Sequence, residues 1–112
     1  MEIVREIYTL SKQLPEEERY IMKSQIVRSA VSIPSIIAEG TSRKSQKDFA
    51  RFIEISLGSC FELETRLLIV KWNYPNINCD YLKLLGLIEE EQKMLTSFGK
   101  KLLQNEKLVT RN

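Results

Sequence analysis

The chain contains no histidine. Histidine is the commonest general base near neutral pH and the commonest metal ligand, so its absence removes most triads, dyads and zinc-hydrolase sites. Any catalysis would have to rest on carboxylates, lysine or cysteine. Only two cysteines are present, Cys60 and Cys79, without a CxxC, and two thiols without histidine are too few for a structural zinc site. They are expected to be small, buried hydrophobes. No apolar run approaches the roughly 18 residues of a membrane span; the longest aliphatic stretch is Leu67-Leu68-Ile69-Val70. Met1 opens straight into Glu2-Ile3-Val4-Arg5-Glu6 with no apolar leader, so the expected setting is the cytoplasm, with no membrane partner. Neither sign of charge dominates. Seventeen basic residues stand against fifteen acidic ones, and the net +2 does not demand a polyanionic partner.

Glycine (four) and proline (three) are also scarce in the 112 residues, which leaves long stretches free to form helix. Ile3, Ile7, Leu10 and Leu14 recur at helical spacing and predict a short first helix over about 2–13. Pro15 followed by Glu16, Glu17 and Glu18 starts a second, since proline is tolerated in the first turn and carboxylates suit the positive end of the macrodipole. Met22, Ile26, Ala30, Ile33 and Ile37 carry it to about Glu39, with Gly40 as the stop. Pro34 interrupts this stripe and predicts a bend, with Ser29, Ser32 and Ser35 placed to satisfy freed carbonyls. Ser45 is a good N-cap, with Asp48 three residues on, for a third helix over about 45–72 whose core face is Phe49, Phe52, Ser56, Cys60, Leu63, Leu67 and Val70. After Asn73-Tyr74-Pro75-Asn76, Asn78 is expected to cap a fourth helix over about 79–105, bearing Tyr81, Leu85, Ile88, Leu95, Phe98 and Leu102. Beyond Asn105 the tail is expected to fray.

No segment alternates with period two, and short connections favour antiparallel neighbours. The fold class is therefore all-α: one domain over residues 1–112, an antiparallel up-down four-helix bundle with a short first helix and a proline-bent second helix. Folding the second and third helices about Ser42 brings Ser24, Ser29, Ala30 and Ser32 near Ser56, Gly58 and Ser59, where small residues permit close backbone packing. A serine nucleophile there would need a base, and none is evident. The first helix, about 18 Å long, covers only half of partners about 36–42 Å long. An apolar strip should remain bare, which predicts self-association, or else a protein partner.

The run Ser24-Gln25-Ile26-Val27-Arg28-Ser29-Ala30-Val31-Ser32-Ile33-Pro34-Ser35-Ile36-Ile37-Ala38-Glu39-Gly40 resembles the SQ-x-R-R-A-x-V-S-I-P-x-N-I-A-E-G signature of bacterial four-helix-bundle proteins, some of them encoded in intervening sequences of large-subunit ribosomal RNA genes. The likeness continues through Ser42-Arg43-Lys44-Ser45, Phe49-Ala50-Arg51-Phe52 and Gly58-Ser59-Cys60-Phe61-Glu62-Leu63-Glu64-Thr65. Val27 and Ile36 depart from it, standing where the signature usually has arginine and asparagine. The family's first helix also usually begins earlier. The resemblance implies an up-down bundle that assembles as a ring, commonly of about five subunits, with no established enzyme activity and no cofactor. It marks Arg28, Ser32, Pro34, Glu39, Gly40, Gly58, Ser59 and Glu62 as motif residues with a structural role.

Three functions compete on the residues. For nucleic acid, Arg43, Lys44, Lys47 and Arg51 against Asp48 give a local +3, and Lys100, Lys101, Lys107 and Arg111 against Glu106 another +3. If the second and fourth helices are parallel, both clusters meet at one end of the bundle, where a ring would present a positive rim. Solvated helix ends are the plainer explanation. The aromatic pairs and glycine turns of base readout are missing, so binding would be to phosphate or shape. The second candidate is a scaffold, supported by the bare strip. The third, a carboxylate enzyme, is disfavoured, because ferritin-like sites pair Glu-x-x-His motifs and Glu62 and Glu64 point about 200° apart on their helix. One of these glutamates is instead expected to pair with Arg28 across the packed helices.

Overall fold

A computed structural model describes residues 1–110, with the side chains of residues 18–20 and 106–110 outside the description. The described residues form four helical rods and no strands. Helix α1 spans Glu2–Ser11. The second rod opens with a turn at Glu16–Glu18, widens into π-helical turns at Arg19–Lys23 and continues as α2, Ser24–Thr41. Helix α3 spans Gln46–Asn73 and α4 spans Tyr81–Thr110. The π turns were not legible in the periodicity, which favours a continuous α-helix from Glu16.

Helix α3 is central, packed along its length against α2 on one side and α4 on the other, while α1 lies on α2 and touches the start of α4. The antiparallel order is visible in cross-contacts. Along α2 and α3 these descend from Gly40 against Phe52, through the Ser56 Oγ that donates to the Ile33 carbonyl (2.9 Å), to the Ser29 hydroxyl that donates to Glu62 (3.0 Å). Along α3 and α4 they run from the edge-to-face pair Phe49–Phe98 (5.3 Å) to Lys71 over the Tyr81 ring (5.7 Å). The core is Ile3, Ile7, Leu10 and Leu14 from the first segment, Ile26, Ala30 and Ile33 from α2, Ala50, Ile53, Cys60, Leu63, Leu67 and Val70 from α3, and Leu84, Ile88, Leu95 and Leu102 from α4. Burying a large aliphatic side chain contributes about 1.5–3 kcal/mol, so these residues dominate stability.

Several local expectations need correction. Gly40 does not end the helix: α2 runs on to Thr41, and Ser42 caps it in a right-handed conformation. Its lack of a side chain serves close packing, because a Cβ there would lie 2.7 Å from the Phe52 Cβ and 2.9 Å from the Phe49 ring. Gly58, expected at the close approach of α2 and α3, is exposed with nothing within 4 Å of where a Cβ would stand. Ser59 is half-buried and donates to Ile55 of its own helix. Pro34 lies inside an unbroken helix, where Ser32 and Ser35 donate to the carbonyls of Ser29 and Val31 (both 2.8 Å). Ser45 caps α3 as expected, accepting from the Asp48 amide (3.0 Å). Asn78 does not cap α4. Its amide donates to Gln13 (2.7 Å) while the Gln13 side chain donates to its carbonyl (2.8 Å), and the Asp80 carboxylate accepts from Lys83 N–H instead. Phe49 and Phe52 are half-buried and Phe98 is 39% exposed, Ile53 and Ala50 taking the interior positions.

The chain exposes 7,569 Å², whereas a compact chain of this mass exposes about 6,400 Å². The excess, roughly 1,200 Å², follows from a rod-like outline of 58 × 24 × 18 Å. Two glycine substitutions separate the packing roles. Gly40→Ala is expected to lower stability by about 1–3 kcal/mol through overpacking, and Gly58→Ala to raise it by about 0.5–1 kcal/mol through helix propensity, both measured by denaturant midpoints.

Candidate functional site

The two basic stretches meet at one end of the molecule, because the start of α3 and the last third of α4 touch through Phe49–Phe98 and through Gly99 against Ile53. Arg43, Lys44, Lys47, Arg51, Lys100 and Lys101 are all exposed there. They are not equivalent. Arg43 is held by Glu39 (3.4 Å) and lies over the Phe52 ring (4.4 Å), and Arg51 faces Asp48 (3.7 Å). Lys44, Lys47, Lys100 and Lys101 have no ion-pair partner among the described residues. Lys107 lies outside the described side chains, as does Glu106, and Arg111 lies outside the described residues altogether. The opposite end holds Glu16 and Glu17, beside a pocket of about 220 Å³ between Gln13, Pro15 and the Asn73–Ile77 turn.

Of the motif residues, Glu62 does not pair with Arg28. Its carboxylate accepts from Arg66, one turn along the same helix (2.6 Å), and from Ser29 across the interface (3.0 Å). Arg66 also donates to the Gln25 carbonyl (3.0 Å) and to the Ser29 hydroxyl, which ties α3 to the beginning of α2. The physical reason is helical phase. Residue 28 stands at the level of Glu62, but the neighbouring Ser29 is the one turned toward α3, and glutamate followed four residues later by arginine is a favourable pair on one helix. No residue in the sequence reading pointed to Arg66; the Glu62-x-x-x-Arg66 spacing was the signal available. Glu64 faces the other way and accepts from Gln92 of α4 (3.1 Å), so the two carboxylates are separated as their spacing requires.

The interior titratable groups are shifted toward their neutral forms. Burial pushes the Cys60 thiol up to about 12, with Glu91 adding to it, and burial also raises Cys79, next to Glu6 and Asp80. Thiolate, the nucleophilic form, is thereby disfavoured at both. Glu91 is itself raised, chiefly by burial and secondarily by Glu90. Among the described residues no group of three carboxylates or thiols is placed to hold a metal ion, and no helix is long and apolar enough to cross a membrane.

Large apolar side chains remain on the outside. Ile55, Phe61 and Trp72 project from α3, and Leu82, Met94, Phe98 and Leu103 from α4, with Trp72 at 77% and Leu82 at 87% exposure. Helix α1, about 15 Å long against about 45 Å for α4, reaches α4 through Glu2 and Glu6 at Lys83 (3.4 and 3.8 Å) and covers only its first part. Met94 and Phe98 lie beyond that cover. Met94 and Phe98 lie where the bare strip was expected from helix lengths, and Phe61, Trp72 and Leu82 are exposed separately.

Comparison with known families matches residues 1–97 to the 23S rRNA-intervening sequence protein family. No curated protein matches the chain.

Two measurements follow from the side-chain geometry. A double-mutant cycle on Glu62 and Arg66 should show a coupling of about 0.5–1 kcal/mol, reduced by their partial exposure, while a cycle on Arg28 and Glu62 should be additive. Because folding raises the Glu91 pKa, the ionised carboxylate costs stability above that pKa and nothing below the unfolded value near about pH 4. Glu91→Gln should raise the denaturant midpoint at pH 7, and the gain should vanish below about pH 4.

Proposed function

The chain belongs to the 23S rRNA-intervening sequence protein family, and from that membership we propose that it is a non-enzymatic helical scaffold of the cytoplasm that acts by self-association. The observation that carries this reading is the set of apolar side chains left exposed among the described residues, Met94 and Phe98 past the end of α1 and Phe61, Trp72 and Leu82 along α3 and α4. Met94 and Phe98 line one shallow hollow, and exposed apolar surface of this kind marks contact sites. Lack of histidine and the neutral, buried Cys60 support a non-catalytic role. A closed ring of about five copies, implied by the family resemblance, is one form the association can take.

A second reading is favoured by the four unpaired lysines at the basic end: sequence-nonspecific binding of RNA or DNA through Lys44, Lys47, Lys100 and Lys101, with Arg43 and Arg51 beside them. Phosphate contact alone would carry it, so the affinity should fall steeply with salt, by a slope of about 0.9 per phosphate neutralised on duplex.

Light scattering across a wide concentration range tests the first reading. It should give masses at multiples of 13.1 kDa, and a constant 13.1 kDa would refute the scaffold. Salt titration with arbitrary RNA and DNA tests the second. Charge reversal at Lys44, Lys47 and Lys100 should abolish binding and leave the assembly mass unchanged, and binding that survives the reversal would exclude the basic end.

A further inference from the structure

Helix α4 carries a surface stripe that is complementary to itself. Glu90, Met94, Ser97 and Lys101 recur at intervals of four, three and four, which is the spacing of a coiled-coil seam. All four are exposed, Met94 at 55%. Phe98 adjoins Met94 and keeps 39% of its surface in solvent although its edge meets Phe49. Lys93, Met94, Ser97, Phe98 and Lys101 together line a shallow hollow of about 370 Å³. The other charged groups on this stretch are Glu89, which holds Lys93 (3.3 Å), Glu91, half-buried beside Glu90, and the exposed Lys100.

Along the chain the stripe reads acid, apolar, small, base. An antiparallel copy presents the reverse order, base, small, apolar, acid. With a two-fold axis near residue 96, Met94 of each copy meets Phe98 of the other, Lys101 meets Glu90 and Glu91, and Ser97 at the centre lets the two backbones approach. A parallel copy would set Glu90 on Glu90 and Lys101 on Lys101, and like charges in register are destabilising. Among the described residues, the ion pairs of α1 with α4 fall at Lys83, ahead of this stretch.

We propose that α4 forms a two-fold antiparallel contact with α4 of a second copy through Glu90, Met94, Ser97, Phe98 and Lys101. The proposal rests on the self-association reading and names its surface. Such a contact is isologous, so it pairs copies, and where rings form it joins them rather than closing them.

Cysteine cross-linking tests it in the full chain carrying Cys79→Ser, where the remaining native thiol, Cys60, is buried. Under mild oxidation Ser97→Cys should give a covalent pair on a non-reducing gel. Glu90→Cys alone should not, whereas a mixture of Glu90→Cys and Lys101→Cys should. Lys101→Glu should weaken association about tenfold, and adding Glu90→Lys should restore it. Self-linking of Glu90→Cys as efficient as that of Ser97→Cys would overturn the antiparallel register. An assembly that sediments above 13.1 kDa yet gives no Ser97→Cys pair would place association on another face and leave the scaffold reading standing. A chain that sediments only at 13.1 kDa would remove both.

Discussion

The structure depends on α3 having cover on two sides. Its buried residues, from Ala50 to Val70, form a band wide enough to face both α2 and α4, and neither neighbour alone could keep that band from water. The register on one side is set by Gly40 under Phe52, by Ser56 on the Ile33 carbonyl, and by Arg66 and Glu62 on Gln25 and Ser29. On the other side it is set by Phe49 against Phe98 and Glu64 against Gln92. Once these two seams close, the fourth position of the bundle has to be filled by α1. It is too short to do so along the whole length, and the exposure of Met94 and Phe98 follows from that mismatch.

Much of this was legible in the residues. The 3.6-residue recurrence of Ile3, Ile7 and Leu10, or of Cys60, Leu63 and Leu67, reports burial directly, and the Ser45 cap follows from side-chain chemistry at one position. What periodicity does not carry is the angular placement of one helix against another. That is why Gly58 was expected in a close approach that Gly40 makes, and why Arg28 was paired with Glu62 when Ser29 and Arg66 hold it. The cap of α4 passed from Asn78 to Asp80 for a similar reason: Gln13, sixty-five positions away, claims the backbone of Asn78. Long-range partners of this kind leave no local trace in the sequence. The meeting of the basic stretches was readable from topology, yet the sequence could not show that Glu39 and Asp48 occupy Arg43 and Arg51 and leave the lysines unpaired.

Both proposed functions are matters of surface. Burial shifts the Cys60 thiol and the Glu91 carboxyl toward their neutral forms, and among the described residues no group of three carboxylates or thiols is placed to hold a metal ion. The outside is differentiated: four lysines without ion-pair partners among the described residues cluster at one end, and exposed apolar side chains stand along α3 and α4. Apolar contact and phosphate contact would share only Lys101, so a scaffold and a nucleic-acid binder can coexist on one chain.

If the fold draws part of its stability from neighbours, that stability must follow mass action. The midpoint of thermal unfolding, recorded over a hundredfold or wider range of protein concentration, is the direct measure. A midpoint that climbs with concentration is the expected result. A midpoint that stays constant across the range would mean that each chain is stable with Met94, Phe98 and Trp72 left in water, and that association contributes nothing to the fold.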